Sequence, residues 1–318
     1  MEILFLQRPD VLPGQVELVT RRIAELEGAR LHCASSPEEA RQYAGAEILL
    51  CPTLPWLPEV IEGLPRLRWI HFLSAGVDRI WEMPFDKTRY LMSKSVGVHA
   101  HTISEFVIGA ILYALKGFGV YQRQQQRREW RRFHLDECAG KTLGIVGIGT
   151  IGARLAELAA GLGMRVVGTV NTPREIPHVD VVYDSSGLDD VLSQSDFVVL
   201  LIPLTPATRG VIGARELGLM KPTAWLINVA RGEVVDEGAL VEALRSGGIA
   251  GAVLDVFAEE PLPAGSPLWE LENVLITPHV AGTTQHYMPR ALEIFADNYR
   301  RFVATGELVT PVSVELGY

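Results

Sequence analysis

Apolar residues in this chain fall into short uninterrupted runs, and most runs are followed by a stretch in which apolar positions recur with helical spacing. The front portion reads as a strand over Met1 to Leu6, an amphipathic helix over Gly14 to Glu27 and a short strand over Leu31 to Ala34. Ser36-Pro37-Glu38-Glu39 has the form of a helix start, with serine as cap, proline at the first position and acids in the first turn. A strand over Ala46 to Cys51, a helix over Leu57 to Leu64 and a strand over Leu67 to Phe72 follow. Strands alternating with helices predict a parallel sheet, here a small one without a glycine fingerprint of its own. The loop after its last strand, Leu73-Ser74-Ala75-Gly76-Val77-Asp78, is built of small residues that can expose backbone N–H groups to an anion. A second loop, Ser93 to His101, leads into a helix from about Thr102 to Lys116 whose nearly continuous apolar character predicts burial on most sides.

A second series of strands and helices follows. The apolar run ending at Val146 enters Gly147-Ile148-Gly149-Thr150-Ile151-Gly152 and then an alanine- and leucine-rich helix. That context, strand to Gly-x-Gly-x-x-Gly to helix, identifies a dinucleotide-binding turn. Gly147 makes the turn, Gly149 lets the backbone approach a pyrophosphate and Gly152 lets helix and strand pack closely. The next strand, Arg165 to Val170, ends at Asn171 and Thr172, with Arg174 beyond, where an acid would accept the adenosine ribose hydroxyl of NAD. Hydrogen-bonding groups and a positive charge suit a 2′-phosphate, so NADP is the expected cofactor, with NAD as the other possibility.

Strands over Asp180 to Tyr183 and Phe197 to Leu201 come next, and the latter stops at Pro203-Leu204-Thr205-Pro206, a lip of the cofactor crevice that continues to Thr208. The strand Ala224 to Ala230 delivers Arg231 at its end, a planar fork suited to a carboxylate. The strand Ala250 to Asp255 delivers Asp255 and then Glu260, and Val274 to Ile276 delivers His279. Three successive parallel strands thus send an arginine, two acids and a histidine to one sheet edge, where ligands bind in such folds. Histidine exchanges a proton near neutral pH, and a neighbouring carboxylate holds its ring and raises its proton affinity.

Composition narrows the rest. A chain of 318 residues is comfortable for two domains, and 38 acids against 29 bases give a formal charge of −9. That charge offers no general attraction to nucleic acid or anionic lipid, so the arginine-rich stretch Tyr121 to Arg132 with Trp130 reads as a solvated or subunit-facing arm. The three cysteines, Cys33, Cys51 and Cys138, are scattered and odd in number, which predicts reduced thiols and a cytoplasmic location. His99 and His101 have no further ligand at metal-site spacing, so no metal is expected. The first apolar run is ended by Arg8 and Pro9, and no stretch has the length of a membrane span, so neither export nor insertion is predicted.

The segments GIVGIGTIG, IPLTPATRGVIG, LINVARGEVVDEGAL, AVLDVFAEEPLP and ITPHVAG, in that order, resemble the D-isomer-specific 2-hydroxyacid dehydrogenase family, glyoxylate/hydroxypyruvate reductases included, and so do HFLSAGVD and SVGVHAHTISEF further forward. The resemblance implies two Rossmann-like α/β domains. A discontinuous, flavodoxin-like substrate domain would comprise residues 1–100 and 288–318, and a dinucleotide domain residues 101–287. The chain would cross between them at His101 to Lys116 and again at Tyr287 to Ala304, with the tail Thr310 to Tyr318 returning to the front unit. By the same resemblance Arg231 binds and polarises a small 2-keto acid, His279 protonates the forming alkoxide and Glu260 supports His279. The backbone of Ser74, Ala75 and Gly76 would take the substrate carboxylate. Thr102, Val229, Ala230, Asp255 and Gly282 would border or bind the nicotinamide, joining Gly147, Gly149, Thr150, Ile151, Gly152, Asn171, Thr172, Arg174, Pro203, Thr208 and His279 around the cofactor. The resemblance further implies a homodimer joined through the dinucleotide domains. A phosphite-type oxidising dehydrogenase and a nucleotide-sensing, corepressor-like interaction protein are the rival activities on this fold; Glu260 argues against the formate-oxidising variant, which resembles a glutamine form at this place.

Overall fold

The computed structural model describes residues 1–7 and 13–315; Arg8 and Pro9 and the end of the tail lie outside the described residues. Two compact units emerge, Met1–Val98 with Thr284–Tyr318, and His99–Thr283. The first opens β1 (Glu2–Leu6), α1 (Pro13–Ala24), β2 (Arg30–Ala34), α2 (Pro37–Ala40), β3 (Ile48–Cys51), α3 (Leu57–Glu62), β4 (Trp69–Phe72) and β5 (Leu91–Lys94). Its five strands are all parallel in the order β2-β1-β3-β4-β5. The cap expected at Ser36 is present: its hydroxyl accepts the Glu39 N–H at 3.2 Å, although the α-helix it starts is short and tightens into a 3₁₀ turn.

The second unit contains α4 (Ala100–Leu115), α5 (Phe118–Arg127), β6 (Thr142–Val146), α6 (Thr150–Gly161), β7 (Arg165–Thr169), β8 (Val181–Tyr183), α7 (Leu188–Gln194), β9 (Phe197–Leu200), α8 (Ala214–Leu219), β10 (Trp225–Asn228), α9 (Glu237–Ser246), β11 (Gly251–Leu254) and β12 (Val274–Ile276). Seven parallel strands lie in the order β12-β11-β10-β9-β6-β7-β8. The order reverses between β6 and β9, and in open α/β sheets ligands bind at the carboxyl ends beside such a reversal. Strands β6, β9 and β11 are buried throughout, which explains their unbroken apolar runs: both faces are covered by helices. One of these, α4, buries Ile103, Val107, Ala110 and Ile111 in the same core as Leu155, Ala156 and Ala159 of α6. The last helix, α10 (Tyr287–Thr305), belongs to the first unit, where Phe295 stacks on Trp69 with ring centres 5.2 Å apart.

One segment differs from expectation. Ser93 and Lys94, read as loop, lie in β5, and Ser93 is fully buried. The physical reason is a polar chain through the first unit. The Trp69 indole donates to Ser93 Oγ at 2.8 Å, Ser93 Oγ lies 2.7 Å from His71 Nδ1, His71 Nε2 lies 3.2 Å from Ser95 Oγ, and that hydroxyl donates to the Phe72 carbonyl at 3.3 Å. One proton arrangement satisfies every group, with Ser93 donating to Nδ1 and a neutral imidazole donating from Nε2. Within Tyr121 to Arg132 the residues up to Arg127 are helical in α5, and Arg123 and Arg127 face Glu272 at 3.6 and 3.9 Å. No single helix among the described residues is long and apolar enough to cross a membrane.

Candidate active site

At the end of β6 the backbone of Gly147 adopts φ +95°, a left-handed conformation that a side chain disfavours, and a Cβ there would also sit 2.7 Å from Ile202 Cγ2. Its N–H donates to Thr169 Oγ1 at 3.1 Å, and the Ile148 N–H donates to the Thr169 carbonyl at 2.8 Å, so the end of β7 braces the turn. Gly149 caps α6 with open space where a Cβ would stand, and no side chain satisfies the first-turn N–H groups, Thr150 and Ile151 included. Gly152 packs against Ile145 and Ile148, where a Cβ would meet their Cγ2 atoms at 3.3 Å. Open backbone donors at the positive end of a helix fit a pyrophosphate. Beyond β7, Asn171, Thr172 and Arg174 are all exposed. In the loop after β9 the Thr208 hydroxyl is already engaged, donating to the Pro203 carbonyl at 2.7 Å and accepting the Thr205 N–H at 2.8 Å, so it shapes the lip.

The three-strand edge follows from register. Asn228 of β10 lies beside Leu254 of β11, and Leu254 beside Ile276 of β12. Residues 229–231, 255–260 and 277–279 therefore leave the sheet from one line. Asn228, 1% exposed, donates from Nδ2 to the Arg231 carbonyl at 3.0 Å and accepts the Ala230 N–H at 3.1 Å, fixing the turn that carries Val229, Ala230 and Arg231. Gly232 then meets the loop after β11 so closely that a Cβ would lie 1.9 Å from the Phe257 carbonyl carbon. Half-buried Arg231 is thereby tied to the segment that carries Glu260.

Asp255 is 1% exposed, and its carboxylate accepts the Thr277 hydroxyl at 2.5 Å and the N–H groups of Val280 and Ala281 at 2.9 Å each. Its carbonyl accepts the His279 N–H at 2.8 Å. These bonds hold the turn in which His279 takes φ +54°, an uncommon conformation for a residue with a side chain. The His279 Nδ1 lies 2.8 Å from Glu260 Oε2, while Glu260 Oε1 accepts the Phe257 N–H at 3.1 Å. With its ring gripped through Nδ1 and its side chain 53% exposed, His279 presents Nε2 outward. The chain thus brings Glu260 and His279 into contact and seats Asp255 beneath them.

Gly282 closes this turn against the start of α4, where its carbonyl lies 3.1 Å from His99 Nδ1. Thr102 stands in the first turn of α4 and its hydroxyl donates to the His99 carbonyl at 3.4 Å. In the first unit the loop after β4 is pinned at both sides of Ser74: Tyr287 Oη donates to the Leu73 carbonyl at 2.6 Å and the Ser95 N–H to the Ser74 carbonyl at 3.2 Å. Ala75 and Gly76 are half-buried. Among the described residues, no group of three or more His, Cys, Asp or Glu side chains could hold a metal ion.

Residues 108–281 match the D-isomer specific 2-hydroxyacid dehydrogenase, NAD binding domain. Among curated proteins, the glyoxylate reductase of Korarchaeum cryptofilum is 37% identical over 250 residues, covering 77% of this chain and 75% of that one. This chain belongs to the D-isomer specific 2-hydroxyacid dehydrogenase family. Solved relatives extend the likeness over the whole fold. A family member from Xanthobacter autotrophicus Py2, in complex with NADPH and MES, is 31% identical with a TM-score of 0.87, over 100% of this chain and 99% of that one. The NADPH-dependent glyoxylate/hydroxypyruvate reductase of Sinorhizobium meliloti, in complex with NADP and sulfate, is 29% identical with a TM-score of 0.86 over 100% of both chains. The protein is accordingly an NAD(P)-dependent oxidoreductase of the 2-hydroxyacid dehydrogenase family, and the open donors at Gly149 and α6 fit that cofactor.

Asn228 and Thr277 were missed from sequence. Asn228 is the one polar residue in the strand Trp225–Asn228, a signal that could have marked it as a backbone clamp. Thr277 carried no comparable signal, because its bond to Asp255 depends on the register between β11 and β12.

Proposed function

We propose that this enzyme reduces a small 2-keto acid, such as glyoxylate or hydroxypyruvate, to the D-2-hydroxy acid with NADP(H) preferred. The bond between His279 Nδ1 and Glu260 Oε2, at 2.8 Å on the edge that also carries Arg231, is the observation that supports it most. When bound, the dinucleotide supplies the hydride from nicotinamide C4 to the keto carbon. His279 delivers the proton from Nε2 to the keto oxygen, Glu260 holds the ring by Nδ1 and stabilises its charged form, and Arg231 binds and polarises the substrate. The unit His99–Thr283 is the dinucleotide-binding domain, with Thr102, Val229, Ala230 and Gly282 near the nicotinamide. By the family resemblance, the backbone of Ser74, Ala75 and Gly76 takes the carboxylate. Asn171, Thr172 and Arg174, exposed and without an acid among them, support a 2′-phosphate.

The exposed apolar side chains of Phe118, Phe133 and Leu135, with Trp130 at 94% exposure, support an arm that docks on a second copy of the chain. The free cysteines Cys33, Cys51 and Cys138 support a reducing, cytoplasmic setting. Absorbance at 340 nm with NADPH or NADH against glyoxylate, hydroxypyruvate, pyruvate and bulkier keto acids tests the activity. Consumption with the small acids and faster turnover with NADPH are expected; no consumption with any acid would overturn the assignment. Light scattering of the wild type and of Trp130→Ser tests the dimer.

A further inference from the structure

His279 owes its aim to the backbone more than to packing, because its side chain is 53% exposed and the residue holds a left-handed conformation at φ +54°. Sterics disfavour that conformation for a residue with a Cβ, so it persists only where the surroundings fix it from several sides. Pro278, just before it, has no N–H to contribute. The main grip converges on Asp255, which is 1% exposed. Its carbonyl accepts the His279 N–H at 2.8 Å, Oδ1 accepts the Val280 N–H and Oδ2 the Ala281 N–H at 2.9 Å each, and Oδ1 also accepts the Thr277 hydroxyl at 2.5 Å.

Thr277 is the side-chain donor in that set, and it stands at a junction. Asp255 opens the loop after β11 that carries Glu260, and Thr277 opens the loop after β12 that carries His279. The Thr277 N–H donates to the Leu254 carbonyl at 3.0 Å, so its backbone still follows the sheet while its hydroxyl crosses to the neighbouring loop. Val280 and Ala281 hold the carboxylate from beyond His279; Thr277 holds it from before. The hydroxyl therefore ties together two loops that must bring His279 Nδ1 and Glu260 Oε2 to 2.8 Å. Without it, the carboxylate keeps only donors on the far side of His279, and the turn can pivot about them.

Resting on the keto-acid reductase reading above, we propose that Thr277 is a positioning residue for the proton transfer: through Asp255 its hydroxyl holds the His279 turn so that Nδ1 stays on Glu260 and Nε2 faces the substrate. The proton itself still comes from His279. Loss of the hydroxyl lets the ring drift from its reactive geometry, and small misplacements of a reacting group cost large factors in rate. Since Arg231 binds the substrate, the loss falls on kcat and not on KM.

The test uses the holoenzyme saturated with NADPH. Thr277→Val keeps the branched shape without the donor, and kcat for glyoxylate is expected to fall about tenfold while KM for glyoxylate and for NADPH stays within about threefold. Thr277→Ser keeps the donor and is expected to recover most of the loss. In the His279→Ala background the same Thr277→Val change should cost less than about twofold more, because the group being positioned is gone. Equal losses in both backgrounds, or a rise in KM for NADPH as large as the fall in kcat, would show that Thr277 acts elsewhere and overturn the proposal. The Cε1–H resonance of His279, assigned by its disappearance in His279→Ala, gives a readout without turnover; it should move in Thr277→Val and return towards wild type in Thr277→Ser. If the wild type reduces keto acids but Thr277→Val leaves kcat or that resonance unaltered, the positioning role is wrong and the reductase reading stands. If the wild type reduces no keto acid yet the resonance moves, the reductase reading fails and the hold on His279 stands. Each variant is to melt within a few degrees of wild type; should Thr277→Val fail to fold, Thr277→Ala replaces it with the same expected loss.

Discussion

His71 and His279 are the same residue type near the carboxyl ends of strands in the two units, and their surroundings make them opposites. His71 in β4 has no exposed surface, both ring nitrogens bonded to serines, and its pKa is pushed down to about 3 by burial. Its proton is fixed on one nitrogen by the bonds around it. His279 is held at one nitrogen only, by Glu260, and is half exposed. What separates a structural histidine from an acid–base one is therefore the number of ring nitrogens already committed and whether a charged ring can be solvated or paired.

Exchanging the two roles by mutation gives the sharpest tests. His279→Ala should lower reductive kcat by about 10² or more, with NADPH affinity by fluorescence titration nearly unchanged, because only the proton donor is lost. Near-normal turnover would mean that the half-exposed ring is not the acid. His71→Leu should leave kcat per folded molecule within about twofold while costing about 2–3 kcal/mol in urea denaturation, since the Ser93 and Ser95 hydroxyls lose their partner in a dry interior. Equal stability would show the chain of bonds to be idle. Glu260→Gln keeps the shape but removes the charge that supports a protonated ring, so kcat should fall about tenfold by stopped-flow reduction, less than for His279→Ala.

The contrast was only half legible in the sequence. His279 stood out because a strand pattern placed it on the same edge as Arg231 and Glu260, and flush register between β10, β11 and β12 produces that edge. The parallel sheets were legible for the same reason, since strands buried on both faces leave unbroken apolar runs. His71 gave no signal, because an isolated histidine in an apolar strand is uninformative until Ser93 and Ser95 are known to lie beside it. Those serines interrupt the apolar pattern and made β5 read as loop. Asp255 shows a related limit: its charge and strand end were visible, but not that three donors from Thr277, Val280 and Ala281 converge on it to shape the turn carrying His279.

Acidity offers a smaller and more specific test of the buried member of the pair. The unfolded imidazole titrates near 6.5 and the folded one near 3, so between those values the unfolded chain binds a proton that the native chain refuses. Stability from this group is therefore complete above pH 6.5, is lost progressively as pH falls and stops changing below about 3. Between pH 7 and 5.5 the loss from one such histidine is about 1 kcal/mol. Urea midpoints of the wild type and His71→Gln over that range isolate it, because carboxylates and the other histidines titrate in both proteins. The variant begins less stable, and its stability should fall less steeply with acid by about that amount. Parallel curves for the two proteins would mean that His71 accepts a proton in the folded chain, contrary to the sealed serine and tryptophan surroundings that distinguish it from His279.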